Sequence, residues 1–352
     1  MAPDALIPRP DTLQVGWGWF QVLLTVTFVL HVLLMNALVG GAVITWLGGL
    51  RRGAGADAAR DTSRTVPTLV ALTVNAGVAP LLFLQVLYGH LFYTSSVVMA
   101  GWWFAIIPVL IIGYYAAYGV SLRYHGGLRP ALAGLVVLAL LAIGFLFVNN
   151  NTLALVPARW TAWFARPDGA SLNLGEPTLW PRWLHMMIGA VAVGGLFVAF
   201  LQDRKARRGD ARAAAARDWA LPFFTHGSLA QMAVGLWWIM ALPDPVMKRF
   251  MGGNPLASVL LVVGIGLAVW AVVSGFQKKV TLAVVATVLT VLVMALMREV
   301  VRFAYLDGVF HPGDLEVVPQ TSPLILFLAV FVVGIGCVAY MLRLAARAGK
   351  EA

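Results

Sequence analysis

Apolar residues run along this chain in blocks too long for the core of a soluble domain. Nine stretches, approximately 17–47, 67–94, 102–122, 131–154, 180–202, 218–242, 256–275, 280–305 and 324–344, are predominantly hydrophobic. A helix needs about 20 such residues to cross a hydrocarbon layer of roughly 30 Å. Lipid offers no partner for open backbone groups, so each block is predicted to be helical. Polar residues gather in connectors too short for a separate soluble domain. The expected architecture is one all-α polytopic membrane domain over residues 1–352, with about nine transmembrane helices and no evident internal repeat.

Composition agrees: 61% of residues are hydrophobic and 11% are charged. The net charge of +10 would suit a nucleic-acid partner, but its distribution argues against one. If the N-terminus lies outside, the inner segments hold 17 of the 25 basic residues, among them the run Arg204–Arg217. The outer segments hold the other eight, with nine of the 15 acids. That asymmetry is the positive-inside rule, and it predicts N-outside, C-inside in a bacterial-type inner membrane. Cys337 is the only cysteine, which leaves no disulfide, zinc cluster, iron–sulfur site or c-type haem attachment. The first residues lack the basic region and cleavage site of a signal peptide.

Ionisable residues inside spans are expensive, roughly 2.5–3.5 kcal/mol at mid-membrane, and point to function. Four histidines qualify: His31, His90, His185 and His226. His31 lies deep in the first block with apolar residues on every side. A neutral imidazole bonded to a neighbouring helix would explain it; so would haem ligation, since imidazole is a common axial ligand. His185 and His90 fall near the outer face, where interfacial placement competes with ligation, and His226 falls in the inner half. His125 and His311 read as solvated loop residues. Glu299 is the deepest acid and shares a helix face with Arg302 three residues on. The two form either a self-neutralised couple or a haem site, with Glu299 as ligand or proton carrier and Arg302 at a propionate. The Asn149–Asn151 triplet could mark a cofactor edge. The pairs Gly40-Gly41 and Gly194-Gly195 allow either close helix packing or room for a porphyrin.

These residues resemble subunit I of the cytochrome bd quinol oxidases, over most of the chain. The likeness is carried by Phe20-Gln-Val-Leu-Leu-Thr-Val-Thr-Phe-Val-Leu-His31, by Asn75-Ala-Gly-Val-Ala-Pro-Leu-Leu-Phe-Leu-Gln85, by the Asn-rich end of the fourth block, by Leu184-His-Met186 and by Glu299-x-x-Arg302. The resemblance implies a bd-like helix bundle, with His31 and His185 as haem ligands and Glu299 and Arg302 at a haem site. There are departures. The third block, from Trp102 to Tyr118, carries none of the family's acids; Gly264-Ile-Gly266 follows aliphatic residues where the family has a methionine ligand; and the quinol loop shrinks to about Pro243–Pro255. Lys248 echoes that loop's lysine.

The function expected from these residues is a membrane electron-transfer subunit holding one to three non-covalent haem b groups. It would exchange electrons between quinone or quinol and an outer-face partner such as a c-type cytochrome. Metal ligands are expected at His31, His185 and Glu299. Arg302, His90 and Lys248 are further cofactor-site candidates, and His90, Met186 and Met240 are possible second ligands at His185. Two alternatives stay open. One is a working quinol terminal oxidase; the other is a cofactor-free transporter or channel subunit in which the histidines and Glu299 form a proton or substrate path.

Overall fold

The computed structural model describes residues 7–122 and 127–351; His125, expected in an inner loop, lies outside them. Among the described residues every regular element is helical: α1 (Trp17–Gly49), α2 (Ala54–Ser63), α3 (Val66–Val98), α4 (Ala100–Leu122), α5 (Arg129–Leu155), α6 (Ala162–Ala165), α7 (Leu179–Ala206), α8 (Ala211–Met240), α9 (Asp244–Lys248), α10 (Pro255–Phe276), α11 (Val280–Tyr305) and α12 (Thr321–Glu351). A single bridge, Leu13 to Val317, ties the segment before α1 to the segment before α12.

Eight of these helices, α1, α3, α4, α5, α7, α10, α11 and α12, are long and apolar enough to cross a membrane. The chain is therefore an all-α, multi-pass membrane helix bundle. The ninth expected span, 218–242, lies in α8. That helix is 30 residues long, about 45 Å at 1.5 Å per residue, but His226, Ser228 and Gln231 dilute its apolar character. It packs along α7.

Local chemistry explains several boundaries. Asp210 caps α8 by accepting from the Arg212 and Ala213 amides, and Asn254 caps α10 by accepting from the Ala257 amide. Both satisfy amide donors that a helix start leaves open. Proline near the first position opens α3, α5, α9 and α10, where its missing N–H is harmless. α3 bends at Tyr88, whose φ of −131° and ψ of 21° leave the helical region.

The packing scheme of α1, α3, α4 and α5 recurs in α7, α8, α10 and α11. In each set the first helix packs on the second and on the fourth, the second on the third, and the third on the fourth. Across the sets, α5 meets α7 and α11 meets α1. The two sets thus share a pairing scheme, broken where α3 also packs on α5, and they join where α1 crosses α7. This pairing scheme was not expected from the sequence. Lipid-facing positions accept almost any apolar residue, so such a scheme leaves little trace in the sequence outside the packed seams.

The seam shows what was kept. A Cβ built on Gly40 would stand 2.6 Å from the Gly194 Cα, and one on Gly194 would strike the Gly40 backbone in return. The two backbones touch, as small residues permit in membrane helices. Gly195 lies equally tight against Phe223 and Phe224 of α8. The glycine pairs serve close packing at the centre of the bundle, which settles the choice left open above.

Candidate functional site

The two units carry the same histidine device. Leu30-His31 is followed after seven residues by Val39-Gly40-Gly41, and Leu184-His185 is followed after seven by Val193-Gly194-Gly195. The histidines therefore sit at one depth, nine residues ahead of the crossing glycines. His31 Nδ1 lies 3.1 Å from the Thr73 carbonyl of α3. His185 Nδ1 lies 3.2 Å from the Gln231 carbonyl of α8. Four residues beyond each acceptor is a glycine, Gly77 or Gly235, and the ring rests against it. A Cβ there would meet the His31 Cε1 at 2.8 Å or the His185 Cε1 at 3.0 Å. Without that Cβ the carbonyl is open to a sideways donor.

A backbone carbonyl cannot donate, so in each case Nδ1 carries the proton and Nε2 keeps its lone pair. That tautomer is the one a metal takes, with the second-shell hydrogen bond fixing ring orientation. At His185 the Gln231 side-chain amide stands 3.3 Å from Nε2 and Trp238 flanks the ring at 5.5 Å.

Towards the end of the bundle where α1 starts lies a buried polar cluster. Glu299 accepts from Gln21 at 2.9 Å, from Arg302 at 2.7 Å and from Arg298 at 3.0 Å. Arg302 lies 4.6 Å from the Tyr88 ring centre, and Arg298 lies 3.9 Å over Phe28, one turn before His31. Arg182, one turn before His185, donates to Asn151 and stacks over Trp238 at 5.2 Å. The asparagine triplet braces this region. Asn149 accepts from the Asn173 amide at 3.1 Å, and Asn150 donates to Ser96 at 3.1 Å.

The expected site residues therefore separate into groups. His31 and His185 form the equivalent pair, whereas Glu299 is not beside His31. Its α1 partner is Gln21, ten residues away, which is about 15 Å of helix. With both oxygens engaged, Glu299 is placed as a counter-ion for Arg298 and Arg302 rather than as a free ligand. His90 is buried with its ring 4.3 Å from Phe310, while the ring of His185 has Gln231, Gly235 and Trp238 around it. Met186 packs with Val39 and Ala190, and Met240 is exposed. Lys248 ends α9, exposed to its surroundings. His226 is also exposed, and its Nδ1 lies 3.0 Å from the Pro222 carbonyl one turn back.

Sequence reasoning missed Arg182, Arg298, Trp238 and the two glycine cradles. The doubled Leu-His…Val-Gly-Gly spacing was the available signal. Among the described residues no three of His, Cys, Asp and Glu come together to hold a metal ion, so a site built from protein ligands alone is not formed there. The chain matches no family model, no curated protein and no solved structure.

Proposed function

We propose that this chain is a haem-b electron-transfer subunit of a membrane oxidoreductase, with one haem ligated by His31 and one by His185. The observation that carries the reading is the twice-built imidazole, held by Nδ1 on a neighbouring helix with Nε2 left as ligand. The donor chemistry of the two rings suits the group. A porphyrin brings its own equatorial nitrogens, so a single imidazole at each site suffices and no clustered metal-ligand set is needed. Glycine cradles set each ring against a neighbouring backbone, and guanidiniums stand one turn away for acidic side arms. When bound, haem supplies one-electron chemistry; the protein supplies ligand, burial and orientation.

At His185 ligation would take over the position of the Gln231 amide. From the charge asymmetry of the connectors we place both histidines in the outer half of the membrane, and we take that membrane to be a bacterial-type inner one. A quinone headgroup is assigned to the segment around Lys248 and Arg249 at that face, and a c-type cytochrome or similar carrier is the partner outside. The bd-type resemblance supports the same ligands. A proton path through Glu299 is disfavoured because both its oxygens are held by fixed donors.

The test is a reduced-minus-oxidised absorption spectrum of the purified protein, in wild type and in His31→Ala and His185→Ala. Two b-type components are expected, each lost or shifted in one variant. A wild-type preparation without haem would reject this reading in favour of the transporter. Cyanide-insensitive, quinol-dependent oxygen uptake to water would instead make it an oxidase.

A further inference from the structure

His226 plays no part in the proposed haem sites, and its side chain is exposed on the outside of the bundle. Ionisable residues within spans ordinarily face the interior, so an outward one marks a candidate site and calls for a named partner. Its tautomer follows from its neighbours. Nδ1 lies 3.0 Å from the Pro222 carbonyl, which can only accept; the Thr225 hydroxyl stands farther off, at 3.4 Å. Nδ1 therefore carries the proton, and Nε2 is a lone pair with no donor among the described residues. An acceptor left open to hydrocarbon is costly. α10 meets α8 close by. A Cβ on Gly275 would stand 2.8 Å from Phe224 and Thr225, and the Phe276 ring lies edge-on to His226 at 6.1 Å. Beyond this contact, Leu229 and Ala233 of α8 and Val269, Trp270 and Val273 of α10 are all exposed. From Pro222 to Met240 of α8 and from Pro255 to Phe276 of α10, His226 is the only exposed polar side chain.

We propose that His226 Nε2 accepts a hydrogen bond from the hydroxyl of a quinol, whose ring lies against Phe276 and whose tail runs along the exposed faces of α8 and α10. His226 lies about 21 Å of helix before Met240, so this station is separate from the one assigned to Lys248. Three features choose the occupant. The open atom is an acceptor, so the occupant must bring an O–H or N–H. The surface around it is apolar with an aromatic edge, which suits a flat ring carrying a hydrocarbon tail. Charge gives little hold to a phosphate, because Lys278, two residues beyond Phe276, is already paired with Asp218 at 2.7 Å. A phosphodiester headgroup offers acceptors where the imidazole needs a donor; a quinol has the hydroxyl, the ring and the tail. The choice of a quinol rests on the quinone partner of the proposed function, and it needs no haem.

The experiment reconstitutes the full chain in phosphatidylcholine vesicles and irradiates it with a decyl benzoquinol carrying a diazirine in its tail, kept reduced. The dimethyl ether of the same compound, which has no hydroxyl, is run beside it, and labelled peptides are read by mass spectrometry. The quinol is expected to label residues 229–233 and 269–273 about fivefold more than the ether, the worth of one hydrogen bond. His226→Phe keeps a ring at an exposed position and removes the acceptor; it should bring that ratio towards one while labelling beside Lys248 stays. Val273→Trp covers the face without touching the histidine and should lower labelling there by both compounds. Equal labelling by quinol and ether in wild type, or a ratio unchanged in His226→Phe, overturns the site. So does a dimer crosslinked through α8 that shields these peptides, since the occupant is then a second copy. Loss of the preference in phosphatidylethanolamine vesicles, whose ammonium is also a donor, makes the occupant a lipid and overturns it too. A haem-free preparation that keeps the fivefold preference rejects the haem reading and upholds this one, and a haem-containing preparation without the preference does the reverse.

Discussion

A methyl group at Gly77 or Gly235 would need the space now held by an imidazole, which makes these glycines the most direct probes of the histidine sites. Gly77→Ala is expected to displace the His31 ring and Gly235→Ala the His185 ring. Disturbing such ligand orientation typically weakens metal binding by about 10- to 100-fold. Haem content and the difference spectrum should show each variant losing one component and keeping the other. Loss of both, or of neither, would contradict the one-to-one assignment. Glu299 makes a second residue-level case. Replacing it with glutamine leaves two guanidiniums without a counter-ion in a buried setting, where breaking one side of an ion pair costs about 3–5 kcal/mol. Glu299→Gln should therefore unfold at markedly lower temperature in detergent than Glu299→Asp. Polar residues in spans were easy to single out from the sequence, because lipid makes each one expensive. Their partners were not, since Thr73, Gln231 and two glycines are ordinary residues until the fold sets them against a ring.

Long apolar helices are legible from hydropathy because their length is set by the bilayer, and α1, α3, α5, α7, α10 and α11 lie where their blocks predicted. α8 was also placed, although its polar content keeps it outside the set that qualifies by apolar character. What hydropathy cannot supply is which helices touch. The α1–α7 crossing depends on Gly40 and Gly194, and an added methyl there must push two backbones apart. Gly194→Ala is expected to destabilise by about 1–3 kcal/mol as overpacking, whereas Gly334→Ala in α12, with nothing within 4 Å of the added Cβ, should be neutral. Equal melting temperatures for the two variants would contradict the seam. Farther along, Asp61 of α2 accepts from Lys205 at 2.5 Å and from Gln202 at 3.1 Å, both on α7. Burial works to raise its pKa, but the Lys205 and Gln202 hydrogen bonds and the Lys205 charge outweigh it, and the carboxyl is held below its ordinary 3.8. A depressed acid stabilises the fold above its unfolded pKa and loses that contribution as pH falls through the folded value. The melting difference between wild type and Asp61→Asn should thus be level at neutral pH and shrink below about pH 3.8. Both partners are substantially exposed, so the difference will be small.

At the scale of the whole molecule, α12 stands apart from the two units. Each of its described side chains is exposed, although it is apolar enough to cross the membrane. The paired units hold the histidines, the glycine seam and the arginine cluster without it. A chain ending at Gln320 keeps the Leu13–Val317 bridge and should fold with wild-type haem content and a melting temperature within a few degrees. Loss of haem on that truncation would show that α12 shapes the sites.

The crossing of α1 on α7 makes the two imidazole positions equal in depth, in proton arrangement and in backbone support. If each holds a haem as proposed, two equal stations give a travelling electron no downhill step. A gradient between them has to come from the residues that break the likeness. The position one turn before the ring is Phe28 in one unit and Arg182 in the other. The position three beyond the cradle glycine is Pro80 in one and Trp238 in the other. A fixed guanidinium favours the added electron at its own station. If haems are bound as proposed, both stations have such a group, Arg298 over Phe28 and Arg182 over Trp238, and Arg182→Gln should lower the midpoint potential of the His185 station while leaving that of His31 in place.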